Sequence, residues 1–238
     1  MGAQWKQAGR VENASKRGQL FGKLTKEIAV AAKMGDPNIE NNHRLRAAVE
    51  VARRMSVPRD TIERAIKKGA GLTDEVVNFE LVTYEGFAPH NVPVIVECLT
   101  DNKNRTAAEV RMLFRKGQLG SIGAVTWMFD RLGVVEATHT DKTLDIEGVA
   151  IEAGAQNVEP LEGTEVSLCG ARFFCDPSDL STVTKFLIDA KWNVSASELS
   201  YIAKNFAELT DERRKEVGDF LTAIDDFDDV HRVYAGMK

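Results

Sequence analysis

The spacing of apolar residues changes once along this 238-residue chain, near Gly71, and that change limits the possible folds more than any other feature. Before Gly71, apolar residues recur at intervals of three and four, which is typical of amphipathic helices. After Gly71, short runs rich in β-branched and aromatic residues alternate with helical segments. The sequence therefore predicts an all-helical first part followed by α+β structure.

The first part is predicted to form a bundle of three helices at residues 15–34, 41–54 and 58–69. Gly35-Asp36-Pro37 should end the first helix, and Asn41 or Asn42 should cap the second. Pro58 suits the first position of the third helix, and Gly69 suits its end. Residues 1–14 show no periodicity, so we expect a flexible arm there.

The second part contains two sets of elements that each give the order βαββαβ, the ferredoxin-like pattern. A first strand is predicted at residues 78–85. One βαββαβ set spans residues 132–198, and the other combines residues 92–130 with strands and a helix between 199 and 234. We therefore predict an α+β fold with an amino-terminal three-helix bundle and two ferredoxin-like domains, the third domain inserted in the second. The predicted domains are residues 1–75, residues 76–131 with 199–238, and residues 132–198.

Charge is distributed unevenly between these parts. Residues 1–70 hold 15 Lys and Arg against 7 Asp and Glu, a net charge of +8, whereas the rest carries −13. A basic module on an acidic body is typical of proteins that bind polyanions, although basic helices can also simply be well solvated. Because phosphate binding needs several cations on one surface, we predict nucleic-acid contacts. The candidate residues are Lys6, Lys16, Arg17, Lys23, Lys26, Arg44, Arg46, Arg53, Arg54, Arg64, Lys67, Lys68, Lys103 and Arg105.

Other segments give weaker signals. Residues 100–106 lead into a helix whose free N–H groups, with Lys103 and Arg105, could hold an anion; a plain capped loop is the alternative. Gly117, Gly120 and Gly123 follow a helix and precede a strand, which is the wrong order for a dinucleotide loop. The acidic segment at residues 225–229 lacks calcium-loop spacing and is predicted to be a solvated turn.

No arrangement of residues indicates catalysis. The four histidines lie far apart and have no cysteine at metal-ligand spacing. The three cysteines show no CxxC pair, which favours buried thiols in a reducing compartment. Neither a secretory signal nor an apolar run of membrane-spanning length is present. We therefore predict a cytoplasmic protein that is not an enzyme, has no cofactor or metal, and has no membrane partner.

Several motifs, in order along nearly the whole chain, resemble the YebC/PmpR family. They include Ser15-Lys16-Arg17-Gly18, Leu45-Arg46-Ala47-Ala48, Ile62-Glu63-Arg64-Ala65-Ile66-Lys67-Lys68-Gly69, Tyr84-Glu85-Gly86, the run from Glu97 to Thr106, and Glu152-Ala153-Gly154-Ala155. The start, Gly2-Ala3-Gln4-Trp5, resembles a YeeN-like branch of that family. The resemblance implies a helical first domain and two α+β domains, the third inserted in the second.

The resemblance and the charge leave three functions to separate. The first is a DNA-binding transcriptional regulator. The second is a ribosome-associated translation factor that binds ribosomal RNA, because phosphate contacts do not distinguish the two nucleic acids. The third is a module that senses a small molecule between its α+β domains, which rests on analogy between folds alone.

Overall fold

The computed structural model describes residues 4–73, 79–161, 164 and 167–237; the side chains of residues 4–16 and of His43 lie outside that description. Contacts divide the chain into two compact units. The first unit comprises residues 1–128 and 203–238, and the second comprises residues 129–202. The second unit is therefore continuous in sequence and interrupts the first. The finer division into three domains stays a prediction.

Three helices open the first unit: α1 (Gln4–Met34), α2 (His43–Arg54) and α3 (Arg59–Gly69). Their shared core includes Ile28, Leu45, Val49 and Ile62, all nearly inaccessible to solvent. The helix α1 begins at Gln4, so much of the segment predicted as a flexible arm is helical. Residues 4–14 are mostly good helix formers, and elongating an existing helix avoids the cost of a new nucleus.

Local signals set the ends of these helices. The Asn42 side chain accepts a hydrogen bond from the Leu45 amide at 3.0 Å, which satisfies a free N–H at the start of α2. Gly69 ends α3 where that helix meets α1, and a Cβ there would collide with the Ala29 carbonyl oxygen. Only glycine permits this close contact between the backbones of α1 and α3.

The first unit also contains a four-stranded sheet with the order β3-β1-β2-β8. Its strands are β1 (Glu80–Ala88), β2 (Val92–Thr100), β3 (Gln118–Leu119) and β8 (Val230–Ala235). Every residue of β2 is buried, as expected for a central strand. Helices α4 (Lys103–Leu113) and α7 (Asp211–Asp225) contribute Val110, Phe114 just beyond α4, and Phe220 to the core beside this sheet.

The second unit has the element order βαββαβ and the strand order β5-β6-β4-β7. Its elements are β4 (Phe129–His139), α5 (Ile146–Ala153), β5 (Asn157–Pro160), β6 (Cys169–Cys175), α6 (Leu180–Asp189) and β7 (Asn193–Ala203). Phe173 and Trp192 pack edge to face in its core, with ring centroids 5.4 Å apart. The order of elements and strands is that of a ferredoxin-like domain.

The α+β class is confirmed, but the strands of the first sheet differ from the prediction. The predicted strands at 124–130 and 133–138 are replaced by one strand, β4, and those at 193–198 and 199–203 by β7. Both belong to the second sheet. The first sheet instead uses β1, which pairs with β2 along nine residues through the short turn Pro89–Asn91. A hairpin between neighbouring strands is the more local pairing, and the prediction left β1 outside the βαββαβ set.

Candidate nucleic-acid interface

The structure separates the predicted nucleic-acid-binding residues into distinct groups. Lys6 and Lys16 lie where side chains are outside the described residues. Some of the other twelve form ion pairs within the fold, and the rest are exposed or half-buried. One group forms ion pairs within the fold: Lys23, Lys26, Arg46, Lys103 and Arg105.

Lys26 and Arg105 both bind Asp229, a carboxylate that is 4% exposed. The Lys26 ammonium lies 2.8 Å from Oδ1, and the Arg105 guanidinium lies 2.9 Å from Oδ2. The Thr106 hydroxyl donates to Oδ2 at 2.8 Å. Burial by itself raises the pKa of Asp229, but hydrogen bonds from Lys26, Arg105 and Thr106 outweigh it and lower that pKa. The carboxylate is therefore ionised and fully partnered.

Lys23 and Lys26 thereby attach α1 to the sheet-containing part of the first unit. The Lys23 ammonium donates to the Asp225 carbonyl and lies 3.7 Å from its carboxylate, at the carboxyl end of α7, where a cation also complements the helix dipole. Lys26 also donates to the Asp228 carbonyl at 3.0 Å. The acidic segment at 225–229 was predicted to be a solvated turn, and that prediction is wrong for Asp229, which is buried among cations.

The predicted anion site at the start of α4 is occupied by the chain's own carboxylates. Asn102 caps α4 by accepting from the Arg105 amide at 3.1 Å. Lys103 forms an ion pair with Glu80, and Arg105 lies 3.0 Å from Asp101 as well as close to Asp229. The capped-loop alternative describes this segment better than an open anion site.

A second group of cations lies on α2 and α3. Arg53, Arg54, Arg64 and Lys67 are exposed, and no ion pair joins any of them to the part of the chain that the structure describes. Arg64 and Lys67 are three residues apart on α3, so they lie on one helix face. The nearby carboxylate of Glu63 is paired with Arg59 at 2.8 Å. We call these four residues the α2–α3 cations.

The remaining candidates are Arg17, Arg44 and Lys68, since Arg46 belongs to the ion-paired group. Arg17 is exposed and places its guanidinium 5.3 Å from the centre of the Phe21 ring. Arg44 is exposed, with Nη1 3.7 Å from the Met34 sulfur. Arg46 is held by Glu40, whose carboxylate lies 3.1 Å away. Lys68 is half-buried, and it already has an interaction partner in the fold. Only Arg17 and Arg44 of these present a freely accessible guanidinium.

Arg53 also borders a hollow of about 580 Å³ between α2 and α3. Its floor is aliphatic and its rim carries Arg53, Arg59 and Glu63. The lining aliphatic residues are Ile39, Val57, Ile62 and Ile66. Of the α2–α3 cations, Arg53 lines this hollow, beside Arg59 and Glu63 of α3.

Sequence reasoning also missed the buried carboxylate of Glu85 on β1, which is 6% exposed. Its carboxylate accepts hydrogen bonds from the amides of Gly123, Val125 and Thr126 at 2.8–2.9 Å. Burial alone would raise the pKa of Glu85, but these hydrogen bonds outweigh it and lower that pKa. The Gly117–Gly120–Gly123 segment thus leads into a loop fixed by a buried carboxylate. No pattern in the sequence marks these contacts, which join residues about forty positions apart.

The described residues contain no group of three or more histidine, cysteine, aspartate or glutamate side chains placed to hold a metal ion. Cys98 and Cys175 are buried and Cys169 is half-buried, and all three are free thiols. Across the described part of the chain, no helix has both the length and the apolar character needed to cross a bilayer.

Comparison with known proteins covers nearly the whole chain. Residues 2–72 match the TACO1/YebC protein N-terminal domain, and residues 79–237 match the TACO1/YebC second and third domain. A probable transcriptional regulatory protein of Bdellovibrio bacteriovorus is 51% identical over 99% of both chains. Another of that name from Thermotoga maritima is 43% identical over 94% of this chain and 87% of its own. These names describe regulators rather than enzymes.

A solved structure shows the same fold. The crystal structure of a conserved hypothetical protein from Aquifex aeolicus is 37% identical, with a TM-score of 0.77, and the match covers 94% of this chain and 90% of that one. The resemblance found in the sequence motifs is confirmed by both matched regions. The chain belongs to the TACO1/YebC family.

Proposed function

We propose that this protein is a DNA-binding transcriptional regulator that contacts phosphates through the α2–α3 cations. The observation that carries the proposal is the contrast between two sets of cations in one helical segment. Lys23 and Lys26 hold the fold together, whereas Arg53, Arg54, Arg64 and Lys67 are exposed and form no ion pair with the residues that the structure describes. Arginine in particular suits bidentate contacts with phosphate.

The names of the relatives support a regulatory role. Nucleic acid is the natural partner for these cations because each neutralised phosphate releases condensed counterions, which favours binding. The remainder of the chain carries a net charge of −13, so the basic segment at residues 1–70 is the part of the chain that attracts a polyanion most strongly. We expect the protein to act in the cytoplasm, where its three free cysteines stay reduced.

Lys23 and Lys26 have a different role in this proposal from the one inferred from the sequence. Their ammonium groups contact Asp225 and Asp229, so charge reversal at these positions would break the fold's own contacts. Loss of binding in such a variant would not report on phosphate contacts. Variants at α2 and α3 avoid this difficulty because the side chains concerned are exposed.

The proposal is tested by fluorescence anisotropy of labelled duplex DNA with the full-length chain. The double variant Arg64→Glu, Lys67→Glu should weaken binding at least about tenfold, because two phosphate contacts become repulsive. The matched control is Arg213→Glu, Lys215→Glu, which makes the same charge change at two exposed positions on α7. Unchanged binding by the α3 variant, or equal losses in both variants, would reject the α2–α3 cations as the contact surface.

The same titration separates DNA from RNA. A fully paired RNA duplex of equal length, assayed at the same ionic strength, should bind more weakly than duplex DNA if the regulator proposal holds. A clear preference for the RNA duplex would support the alternative, a ribosome-associated translation factor. Crosslinking in cells followed by sequencing of the recovered nucleic acid would identify the target directly.

A further inference from the structure

The loop at residues 120–127 displays two large apolar side chains to solvent. Ile122 is 94% exposed and Trp127 is 66% exposed, although both belong to an ordered turn rather than to a chain end. Burial of apolar surface is the main gain in folding, so exposed aromatic rings on a fixed loop contribute little to the stability of this chain. Such residues are typical of contact surfaces.

The loop is held in place by an unusual concentration of hydrogen bonds. Beside the three amides that donate to the Glu85 carboxylate, the Gly120 amide donates to the Glu85 carbonyl at 2.8 Å. Val125, within the loop, is completely buried. A buried carboxylate costs free energy unless it is fully hydrogen-bonded, so Glu85 holds the loop in one conformation.

The indole of Trp127 is oriented by the loop itself. Its Nε1–H donates to the Ala124 carbonyl at 3.2 Å, which uses the ring's only polar group. The ring faces then offer an apolar, polarisable surface that is fixed in advance. Fixing a ring before binding lowers the entropic cost of stacking on it.

The sequence that contains the loop is basic. Residues 110–129 contain Arg111, Arg115 and Lys116 and no Asp or Glu, within a part of the chain that is otherwise strongly acidic. All three cations are exposed, and Lys204 adjoins the loop because its amide donates to the Met128 carbonyl at 2.9 Å. The Glu85 carboxylate, to which the loop amides donate, is buried.

We infer that the 120–127 loop is a second nucleic-acid contact, in which Trp127 stacks on an unpaired base of a single-stranded segment. Aromatic rings beside cations are the usual means of binding single strands. Every base offers a π face on which a ring can stack, and every link between nucleotides carries a phosphate that a cation can contact. A base inside a duplex has both faces covered by its neighbours, so the loop selects unpaired bases. This inference rests on the proposed function in that it requires the chain to bind nucleic acid.

The test compares two labelled single strands of about twelve units, one of thymidines and one of abasic sites with the same phosphates. The full-length chain should bind the thymidine strand about tenfold tighter, the effect of one stacked base. Trp127→Ala should remove that preference and leave affinity for the abasic strand unchanged, and Trp127→Phe should retain part of it. Ile151→Ala is the matched control, because Ile151 is an exposed apolar residue of the second unit.

The possible outcomes separate this inference from the proposed function. Equal binding of the two strands, or a preference that survives in Trp127→Ala, would overturn the stacking role. Failure of the chain to bind either strand would also overturn it, while duplex binding that depends on Arg64 and Lys67 would remain. Conversely, a base preference that depends on Trp127 would stand even if variants of the α2–α3 cations bound normally.

Discussion

Replacing Asp229 with asparagine tests whether the cations of α1 and α4 serve the fold. The substitution keeps the shape of the side chain but removes its charge and turns one oxygen into an N–H donor. That donor would face the Lys26 ammonium or the Arg105 guanidinium, which lie 2.8 and 2.9 Å from the two carboxylate oxygens. The variant therefore loses the charge-assisted hydrogen bond at one oxygen, weakens the one at the remaining oxygen, and gains a repulsive contact.

The size of the effect follows from burial. Removing one partner of a buried ion pair costs about 3–5 kcal/mol of unfolding free energy, mostly through the charge left unpaired. Here the side chains of Lys26 and Arg105 are 22% and 49% exposed, so water can partly solvate them in the variant. We therefore expect a loss of about 2–3 kcal/mol. In a chain of this size the loss lowers the melting temperature by roughly 5–10 °C.

Urea unfolding of the full-length chain at neutral pH, followed by circular dichroism, measures this loss. Because the folded-state pKa of Asp229 is lowered, its contribution is present above the unfolded-state pKa of about 3.9 and disappears as the pH falls through the folded-state pKa. The difference between wild type and variant should therefore be full at pH 7 and shrink below about pH 4. A variant within about 0.5 kcal/mol of wild type at pH 7 would refute the reasoning.

Three further predictions concern other buried groups. Glu85→Gln should lower the unfolding free energy by about 1–3 kcal/mol, because an amide offers one acceptor oxygen in place of the two carboxylate oxygens. Hydrogen exchange at the Val125 amide should become faster, and unchanged exchange would contradict the prediction. Gly69→Ala should destabilise the helical segment, because the clash of the new Cβ with the Ala29 carbonyl costs more than alanine gains through its higher helix propensity. A higher melting temperature in the variant would contradict this prediction. Burial, and to a smaller extent nearby cations, lower the pKa of His231 to about 3 in the folded protein. The imidazole therefore takes up a proton on unfolding when the pH is below about 6.5. The free energy of unfolding of the wild type should fall by about 2 kcal/mol between about pH 7 and pH 5. His231→Leu should remove that loss, and an unaltered pH profile in the variant would count against it.

The sequence predicted the elements whose signals are local. The cap at Asn42, the break at Gly35-Asp36-Pro37 and the end of α3 at Gly69 all lie at or within a residue of the predicted positions. Each depends on a few neighbouring residues, so the pattern alone is informative. The element order of the second unit was predicted for the same reason.

The partners of charged residues could not be predicted in this way. Lys26 and Asp229 are 203 residues apart, and no periodicity relates them. Both residues looked like solvent-exposed charges in their own segments. Ion pairing of this kind depends on tertiary packing, which places α1 beside the residues that precede β8. The choice between cations that bind a ligand and cations that hold the fold therefore required the structure.

The predicted strand boundaries were wrong for a related reason. A single strand, β4, runs through Arg131 and Leu132, the two residues that separate the predicted strands at 124–130 and 133–138. Pairing with a neighbouring strand decides such cases, because cross-strand contacts outweigh the propensity of one or two residues.

The salt dependence of DNA binding tests the central claim most directly. The slope of log affinity against log salt counts the phosphates that a protein neutralises, at about 0.9 per contact on duplex DNA. Neutralising two contacts with Arg64→Gln and Lys67→Gln should make that slope shallower by about 1.8, while Arg213→Gln with Lys215→Gln should leave it unchanged. If the α3 variant keeps both the affinity and the slope of the wild type, the α2–α3 cations do not contact phosphate.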